Sequence, residues 1–373
     1  MMQLGESWCC CFGAFSKRNG PHPREELGGF SPEKNIKLFS YDEVKSATDN
    51  FHPGNKIGQG GFGKVYKGTL RSGEEVAVKV LSAESRQGVK EFLTEIDVIT
   101  NVRHPNLVEL VGCCVQANSR ILVYEYLENS SINHALLGHK SDPSKLNWSI
   151  RSAICVGTAK GLAFLHEELE PPIVHRDIKA SNILIDRNYV PKIGDFGLAK
   201  LFPDNITHIS TRVAGTTGYL APEYALHGQL TKKADIYSFG VLVLEIISGE
   251  SSSKALYSEG NFLLDRAWQL YQEGRLQELV DPVLKEYSEE QVLRYTKVAL
   301  FCTQAAAGRR PSMLQVVEML SNPIRINENE LTPPGYTDGS SSTRRIPKGR
   351  NSSNSPPDTS LSNPITITEM IPR

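Results

Sequence analysis

The chain has 373 residues, 22% of them charged and 39% hydrophobic, with a formal net charge of −1. That balance suits a globular protein with a substantial core and two lobes or domains, and it excludes a whole-molecule attraction to nucleic acid or to an acidic membrane. The seven cysteines are scattered, show no metal-ligand spacing and follow no secretory signal, and no apolar run approaches the ~18 residues of a membrane span, so a reducing intracellular setting with mostly buried thiols is expected.

Residues 1–50 read as an arm. Trp8-Cys9-Cys10-Cys11-Phe12 is followed by Lys17-Arg18 and a stretch rich in proline and glycine, without helical or strand period. Adjacent cysteines beside aromatic and basic residues make Cys9, Cys10 and Cys11 a candidate S-acylation site, since two or more acyl chains hold a protein at a membrane where one is marginal. The alternative is an arm with incidental cysteines. Met2 stands where N-myristoylation requires glycine, so that motif is absent. Near the end of the arm, Ser40 and Glu43 form a capping-box pattern that opens a short amphipathic helix, expected to pack on the first lobe.

A domain is read over residues 51–325, with a first lobe at 51–125 and a second at 128–325. It begins with Ile57-Gly58-Gln59-Gly60-Gly61-Phe62-Gly63, a G-x-G-x-x-G pattern. A dinucleotide site requires a helix straight after such glycines. Here Val65-Tyr66-Lys67-Gly68 alternates like a strand, Ser72-Gly73 turns, and Val76-Ala77-Val78-Lys79 is again a strand. Strand, glycine loop, strand and a strand bearing lysine suit a cover over ATP phosphates, which backbone amides approach because no Cβ blocks them. Lys79 would hold the α- and β-phosphates if an acid fixes its ammonium. Glu95 is the expected partner, on a helix over 88–102 whose Phe92, Ile96 and Ile99 share one face, with Glu91 and Asp97 as alternatives.

Strand-like runs at 107–115 and 121–126 complete a five-stranded lobe. Tyr124-Glu125-Tyr126-Leu127 then reads as a hinge in which main-chain groups of Glu125 and Leu127 bind the adenine edge, with Val65 and Ala77 above it and Leu184 below, while Ile57, Gly58, Gly60 and Gly63 belong to the ATP-binding glycine loop. Tyr124 would close the back of this pocket.

The second lobe turns helical, with Ile150, Ala153, Ile154, Gly157, Leu162 and Leu165 in helix period. It then reaches His175-Arg176-Asp177, Asn182 and Asp195-Phe196-Gly197. In-line phosphoryl transfer needs one carboxylate to receive a hydroxyl proton and oxygen ligands for magnesium, or manganese in its place. Asp177 suits the first task; Asn182 and Asp195 suit the second. Asp, Asn and Gly are ordinary turn residues too, but two jointed motifs of this length disfavour that reading. Between Asp195 and Glu223 lie the hydroxyls of Thr207, Ser210, Thr211, Thr216 and Thr217. Arg176 and Lys200 offer cations to which a phosphate on this segment could pair, and Thr216 is expected to hydrogen-bond toward Asp177 and Lys179. The segment from Asp235 to Ser248 reads as a central buried helix, and Glu223 needs a cation, for which Arg310 is the candidate. Residues 326–373, dominated by Ser, Thr, Pro and Asn, read as a disordered tail.

Together these motifs resemble the eukaryotic protein kinases over about residues 51–325. The resemblance implies an α+β, two-lobed fold: a small, mostly antiparallel β lobe with one helix and a larger, mostly helical lobe. It implies transfer of the γ-phosphoryl of Mg-ATP to protein hydroxyls, with Lys179 standing where serine/threonine kinases carry a catalytic lysine. The segment before the glycine loop, Tyr124, Gly215-Thr216-Thr217-Gly218-Tyr219 and Arg310-Pro311-Ser312-Met313 are similar to the plant receptor-like kinases of the Pelle/IRAK group. Residues 80–92 look like the cold-responsive branch of receptor-like cytoplasmic kinases. That likeness implies a membrane receptor kinase as partner, a cytoplasmic place at the inner face of the plasma membrane, and Thr211 as the principal phosphosite. Gly194 departs from the usual Ser but removes no ligand. A pseudokinase scaffold is disfavoured because Lys79, Glu95, Asp177, Asn182 and Asp195 are all present.

Overall fold

β-Branched and aromatic residues alternating along five strands give the first lobe two apolar faces, and each face is covered by its own helix. A computed structural model describes residues 36–335, apart from 61–62, 83–85, 101, 117–118, 139–141, 204–205 and 253–262, together with Thr366–Ile367. Cys9, Cys10 and Cys11, with the rest of residues 1–35, lie outside the described residues.

In chain order the first lobe comprises β1 (Lys37–Leu38), α1 (Tyr41–Ala47), β2 (Lys56–Gly60), β3 (Gly63–Thr69), β4 (Glu75–Leu81), α2 (Arg86–Ile99), β5 (Leu110–Gln116) and β6 (Ser119–Glu125). They form one sheet in the order β1-β5-β6-β4-β3-β2, antiparallel except for the β1–β5 pair. The five strands read from the sequence are thus six. Lys37 and Leu38 are too few to show a period, but they lie beside Gly112 and Cys113, and Phe39 N donates to Cys113 O at 2.9 Å. Along β6, Ile121 and Val123 join Val76, Val78 and Cys114 under Val44 of α1, while Leu122 and Tyr124 turn to the opposite face with Phe92 and Ile96 of α2. Ser40 caps α1 as expected, its Oγ accepting from Glu43 N while Glu43 Oε2 accepts from Ser40 N at 2.8 Å. Such a cap is worth about 1 kcal/mol.

The strand expected from residue 107 begins only at Leu110, because Val108 N donates across the lobes to Ile193 O at 2.9 Å.

The second lobe holds α3 (Trp148–Ala163), β7 (Ile173–Val174), β8 (Ile183–Ile185), β9 (Pro191–Ile193), β10 (Lys200–Leu201), β11 (Ile209–Ser210), β12 (Ala214–Gly215), α4 (Pro222–His227), β13 (Gln229–Leu230), α5 (Lys232–Ser248), α6 (Leu263–Gln272), α7 (Glu289–Cys302) and α8 (Met313–Ser321). Its axis is α5, buried from Ala234 to Ser248 and packed by α3, α6 and α7. Gly249 stops it in the left-handed region at φ 68°, where a Cβ would come within 2.5 Å of Asp281 Oδ2. In α3 the helical period gave Ala153 to the core, yet Ala153 is exposed and Arg151 is wholly buried. Arg151 is tolerated there because it meets Asp281 at 2.7 Å and the carbonyls of Leu146 and Ile246 at 2.8 and 3.0 Å.

The tail also departs from expectation. Residues 326–335 dock on the second lobe, with Gly335 N donating to Thr303 O at 3.1 Å and Tyr237 Oη donating to Gly335 O at 2.6 Å. These anchors are largely to backbone, so side-chain composition hides them. A last pair, β14 (Thr366–Ile367), lies parallel to β12. Cys113, Cys114, Cys155 and Cys302 are free and buried, and burial pushes the thiols of Cys155 and Cys302 up to about 12. No helix among the described residues is long and apolar enough to cross a membrane.

Candidate active site

Lys79 sits in the middle of β4, opposite Val65 of β3 and Leu122 of β6, so strand pairing on both sides fixes where its side chain leaves the sheet. Its ammonium lies 2.5 Å from Glu95 Oε1 and 2.7 Å from Asp195 Oδ1. The structure therefore selects Glu95 over Glu91 and Asp97. Glu91, one turn earlier, is bonded to Gln87 at 3.1 Å, and burial pushes its carboxyl up to about 7. Tyr124 Oη donates to Glu95 Oε2, so both oxygens of this fully buried carboxylate are satisfied.

The side chains of Lys79 and Glu95 are withdrawn from solvent, 16% and 1% exposed, whereas that of Asp195 is 48% exposed, and the three titrate differently. For Lys79 the nearby Asp195 and Glu95 charges overcome burial and hold the ammonium above its usual range. For Asp195, which stays open to solvent, the Lys79 charge holds the carboxyl down to about 2. For Glu95 burial prevails over the pull of Lys79 and raises the carboxyl.

The loop that carries His175, Arg176 and Asp177 is hung from Asp235 at the start of α5. Asp235 Oδ2 accepts from His175 N at 2.7 Å and meets His166 Nε2 at 2.9 Å, while Oδ1 accepts from Arg176 N at 2.8 Å. Burial works against its charge, but these donors hold it below the usual carboxylate range. The two amide bonds let Arg176 stand at φ 72°, which L-residues adopt at a penalty. Sequence reasoning placed Asp235 only as a helix opener; its one signal was a carboxylate at the head of a largely apolar helix.

Asp177, 6% exposed, is held on three sides. Oδ2 meets Lys179 Nζ at 2.7 Å and accepts from Asn182 Nδ2 at 3.1 Å, and Oδ1 accepts from Thr216 Oγ1 at 2.7 Å. Lys179 Nζ also donates to Thr216 Oγ1 at 2.8 Å, closing a triangle between the Asp177 loop and the stretch from Asp195 to Glu223, the activation segment of the kinases this chain resembles. His175 packs edge-on to Phe196 with ring centroids 4.9 Å apart and meets Gly194 O at 3.1 Å, which ties the Asp177 and Asp195 motifs together. Asn182 and Asp195 offer hard oxygen donors, which suit magnesium when phosphates and water complete the shell. Among the described residues no cluster of three or more His, Cys, Asp or Glu could hold a metal alone.

At the hinge, Glu125 N is taken by Glu109 O at 3.1 Å and is therefore not free for a ligand, and its side chain meets Lys192 at 2.9 Å. Leu127 is buried, and Val65, Ala77 and Leu184 are half-buried. Ile57, 49% exposed, sits at the irregularity between Lys56 and Gly58 where β2 slips against β3. Gly58 and Gly60 border the loop whose tip, 61–62, lies outside the described residues. Gly63 must be glycine for the sheet itself, since a Cβ would lie 2.4 Å from Val80 O.

In the activation segment, Thr207 and Ser210 are exposed and Thr211 is half-buried, its N–H donating to Gly228 O at 3.1 Å. Arg176, for which the sequence offered no carboxylate, binds Leu198 O and Arg212 O at 3.1 and 2.9 Å and Tyr224 Oη at 2.5 Å. Lys200 is pushed down by burial and then by the Arg176 charge, so two cations face this region. Glu223 receives Arg310 in a fork at 2.7 and 2.8 Å.

A family model for protein tyrosine and serine/threonine kinases matches residues 51–320. The chain is 54% identical over 339 residues to cold-responsive protein kinase 1 of Arabidopsis thaliana, covering 89% of this chain and 84% of that protein. It is also 54% and 52% identical, over 299 and 313 residues, to two probable LRR receptor-like serine/threonine-protein kinases of the same plant. It covers 80% and 84% of itself in those matches but spans under a third of either receptor, 29% and 30%.

Proposed function

The chain belongs to the protein tyrosine and serine/threonine kinase family, and from that membership we propose that it phosphorylates serine and threonine hydroxyls of polypeptides, using ATP and magnesium. The observation that carries this reading is the triangle of Lys179, Thr216 and Asp177. It aims a carboxylate at the place where an acceptor hydroxyl would lie and sets a cation beside it. The acceptor proton passes to Asp177 as the new O–P bond forms and the β–γ bridging bond breaks, releasing ADP. Lys79, fixed by Glu95, holds the α- and β-phosphates. Asn182 and Asp195 would hold magnesium, or manganese with its similar preference for oxygen, which when bound neutralises phosphate charge. A nucleotide-binding scaffold without transfer is not favoured, since every group the chemistry requires is in place.

Three finer readings go with it. Phosphorylation at Thr211 would order the activation segment by pairing with the Arg176 and Lys200 charges, Arg176 being already bonded to the carbonyl of the neighbouring Arg212. Acylation of Cys9, Cys10 and Cys11 would hold the protein at the inner face of the plasma membrane. A receptor kinase is the fitting upstream partner, by likeness to relatives whose names carry that description.

The test is transfer of radiolabelled phosphate to a peptide, with phosphoamino-acid analysis. Thr216→Val is expected to lower kcat about 10-fold or more, as small misplacements at a reacting centre do, while Thr216→Ser keeps most activity. Wild-type protein that transfers no phosphate, or labels tyrosine alone, defeats the reading.

A further inference from the structure

Residues 326–335 lie beyond the stretch that the family model matches, yet they are bound to the end of the activation segment by two routes. One is direct. Gly335 is buried against α4, and a Cβ there would come within 2.5 Å of Pro222 Cγ. The other runs through the loop at 303–305. Gln304 is fully buried, and its Oε1 accepts from both N and Oγ1 of Thr332, at 3.0 and 2.8 Å. Ala305 N donates to Pro333 O at 3.3 Å. The opposite side of the same loop carries Arg310, whose Nε and Nη2 donate to the carbonyls of Gln304 and Ala305 at 2.8 and 3.3 Å. Arg310 then forks Glu223, and Tyr237, which donates to Gly335 O, lies with its ring 5.0 Å from that guanidinium.

We propose that residues 326–335 are a brace that sets the polypeptide-binding surface of the activation segment, so that they position the protein substrate and not the nucleotide. The proposal rests on the kinase reading given above. Arg310 shares its carbonyl partners with a loop that the strap holds at Thr303 O, Gln304 Oε1 and Ala305 N. Moving the strap therefore moves Glu223 and Pro222. Upstream of them, Thr216 reports directly to Asp177 and Lys179, and Tyr219 to Glu245. The nucleotide contacts, by contrast, come from Lys79, the hinge and Asp195, and the strap's contacts described above include none of these residues. A segment that served only to add stability would weaken both substrates alike; a brace on the activation segment separates them.

The experiment uses the full chain and three point variants, with kcat and KM measured separately for a peptide acceptor and for ATP, and with thermal shift on nucleotide addition. Gly335→Val drives a branched side chain toward Pro222. It is expected to lower kcat/KM for the peptide about 10- to 100-fold, the range that small misplacements at a reacting centre produce, with KM for ATP and the nucleotide shift unchanged. Thr332→Val, nearly the same shape, leaves Gln304 with one donor fewer and should shift peptide kinetics in the same direction by less, which keeps the test decidable if Gly335→Val does not fold. Glu328→Gln breaks the pair with Lys297 at the far end of the strap and should change neither substrate. Wild-type peptide kinetics in both Gly335→Val and Thr332→Val overturn the proposal. So does a parallel loss of peptide and ATP binding, which would make the strap a stabilising segment only. A wild-type chain that transfers no phosphate defeats the kinase reading itself, and the brace with it.

Discussion

The ammonium of Lys79 lies 2.7 Å from Oδ1 of Asp195, a hydrogen bond that joins the sheet of the first lobe to the second lobe. Asp195 is proposed to bind metal as well, and Asp177 to receive the acceptor's proton. The two carboxylates should therefore separate in their response to nucleotide. ATP with magnesium at about 100 times its dissociation constant adds roughly 2.7 kcal/mol of apparent stability. That thermal shift is expected to survive in Asp177→Asn, which loses transfer, and to shrink in Asp195→Asn. An undiminished shift in Asp195→Asn would remove it from the metal-binding set.

Tyr124 donates to Glu95, and this bond favours the ionised carboxylate that Lys79 needs, against burial, which raises it. Tyr124→Phe removes the donor and raises Glu95 further. The Lys79–Glu95 pair is lost as pH falls through the Glu95 titration, so the acid limb of kcat/KM for ATP should move to higher pH in the variant. Loss of the donor to a buried group should also cost about 1–3 kcal/mol of stability. Superimposable pH profiles would show that Tyr124 only fills space.

Glu245, inside α5, is pushed up to about 7 by burial, although Tyr219 and Ser252 donate to it. A carboxyl raised in the fold binds more protons there than in the unfolded chain between its ordinary value and about 7. Its contribution to stability is thus greatest at low pH, declines as pH rises across that window and is flat above it. Glu245→Gln should flatten this part of the stability profile and gain relative to wild type at pH above the window, as read by thermal melting across pH. Glu91, raised to the same range, will keep part of the slope. A profile unchanged by the substitution would mean that Glu245 does not titrate there.

Thr211→Ala is expected to lower the activity of phosphorylated enzyme strongly, and Thr207→Ala to do little, since Thr207 is exposed and bonded only to the neighbouring His208 among the described contacts. The check is the initial rate after phosphatase treatment against the rate after preincubation with ATP, for wild type and both variants. Full initial rate from dephosphorylated wild type would end the regulatory reading and leave the catalytic one.

Asp177, Asn182 and Asp195 were legible in the sequence because they stand in short motifs of fixed spacing, Lys79 because it ends a strand after the glycine loop, and Glu95 from its place on a helix, with Glu91 and Asp97 left for the structure to set aside. Arg310 was legible for another reason: Glu223 inside a lobe demands a cation. Asp235 was not, since its partners are backbone amides 59 and 60 residues away and no local pattern announces them. Arg151 failed in the same manner, as its neutralising Asp281 is 130 residues distant. The short strand β1 and the docked stretch 326–335 carry too little apolar period to be read: β1 is held by main-chain pairing with β5, and 326–335 by single polar side chains such as Gln304 and Tyr237 that meet it from distant positions.

That short strand has a practical consequence. By lying along β5, Lys37 and Leu38 occupy donors and acceptors that would otherwise form an open edge of the sheet, and Phe39 and Val44 close the apolar face behind it. The family match starts at residue 51. A fragment cut there would carry every residue assigned to chemistry and still present a bare strand margin beside an uncovered apolar surface. Such a fragment should self-associate edge to edge, rising in apparent mass with concentration, while the chain that begins ahead of Lys37 stays monodisperse.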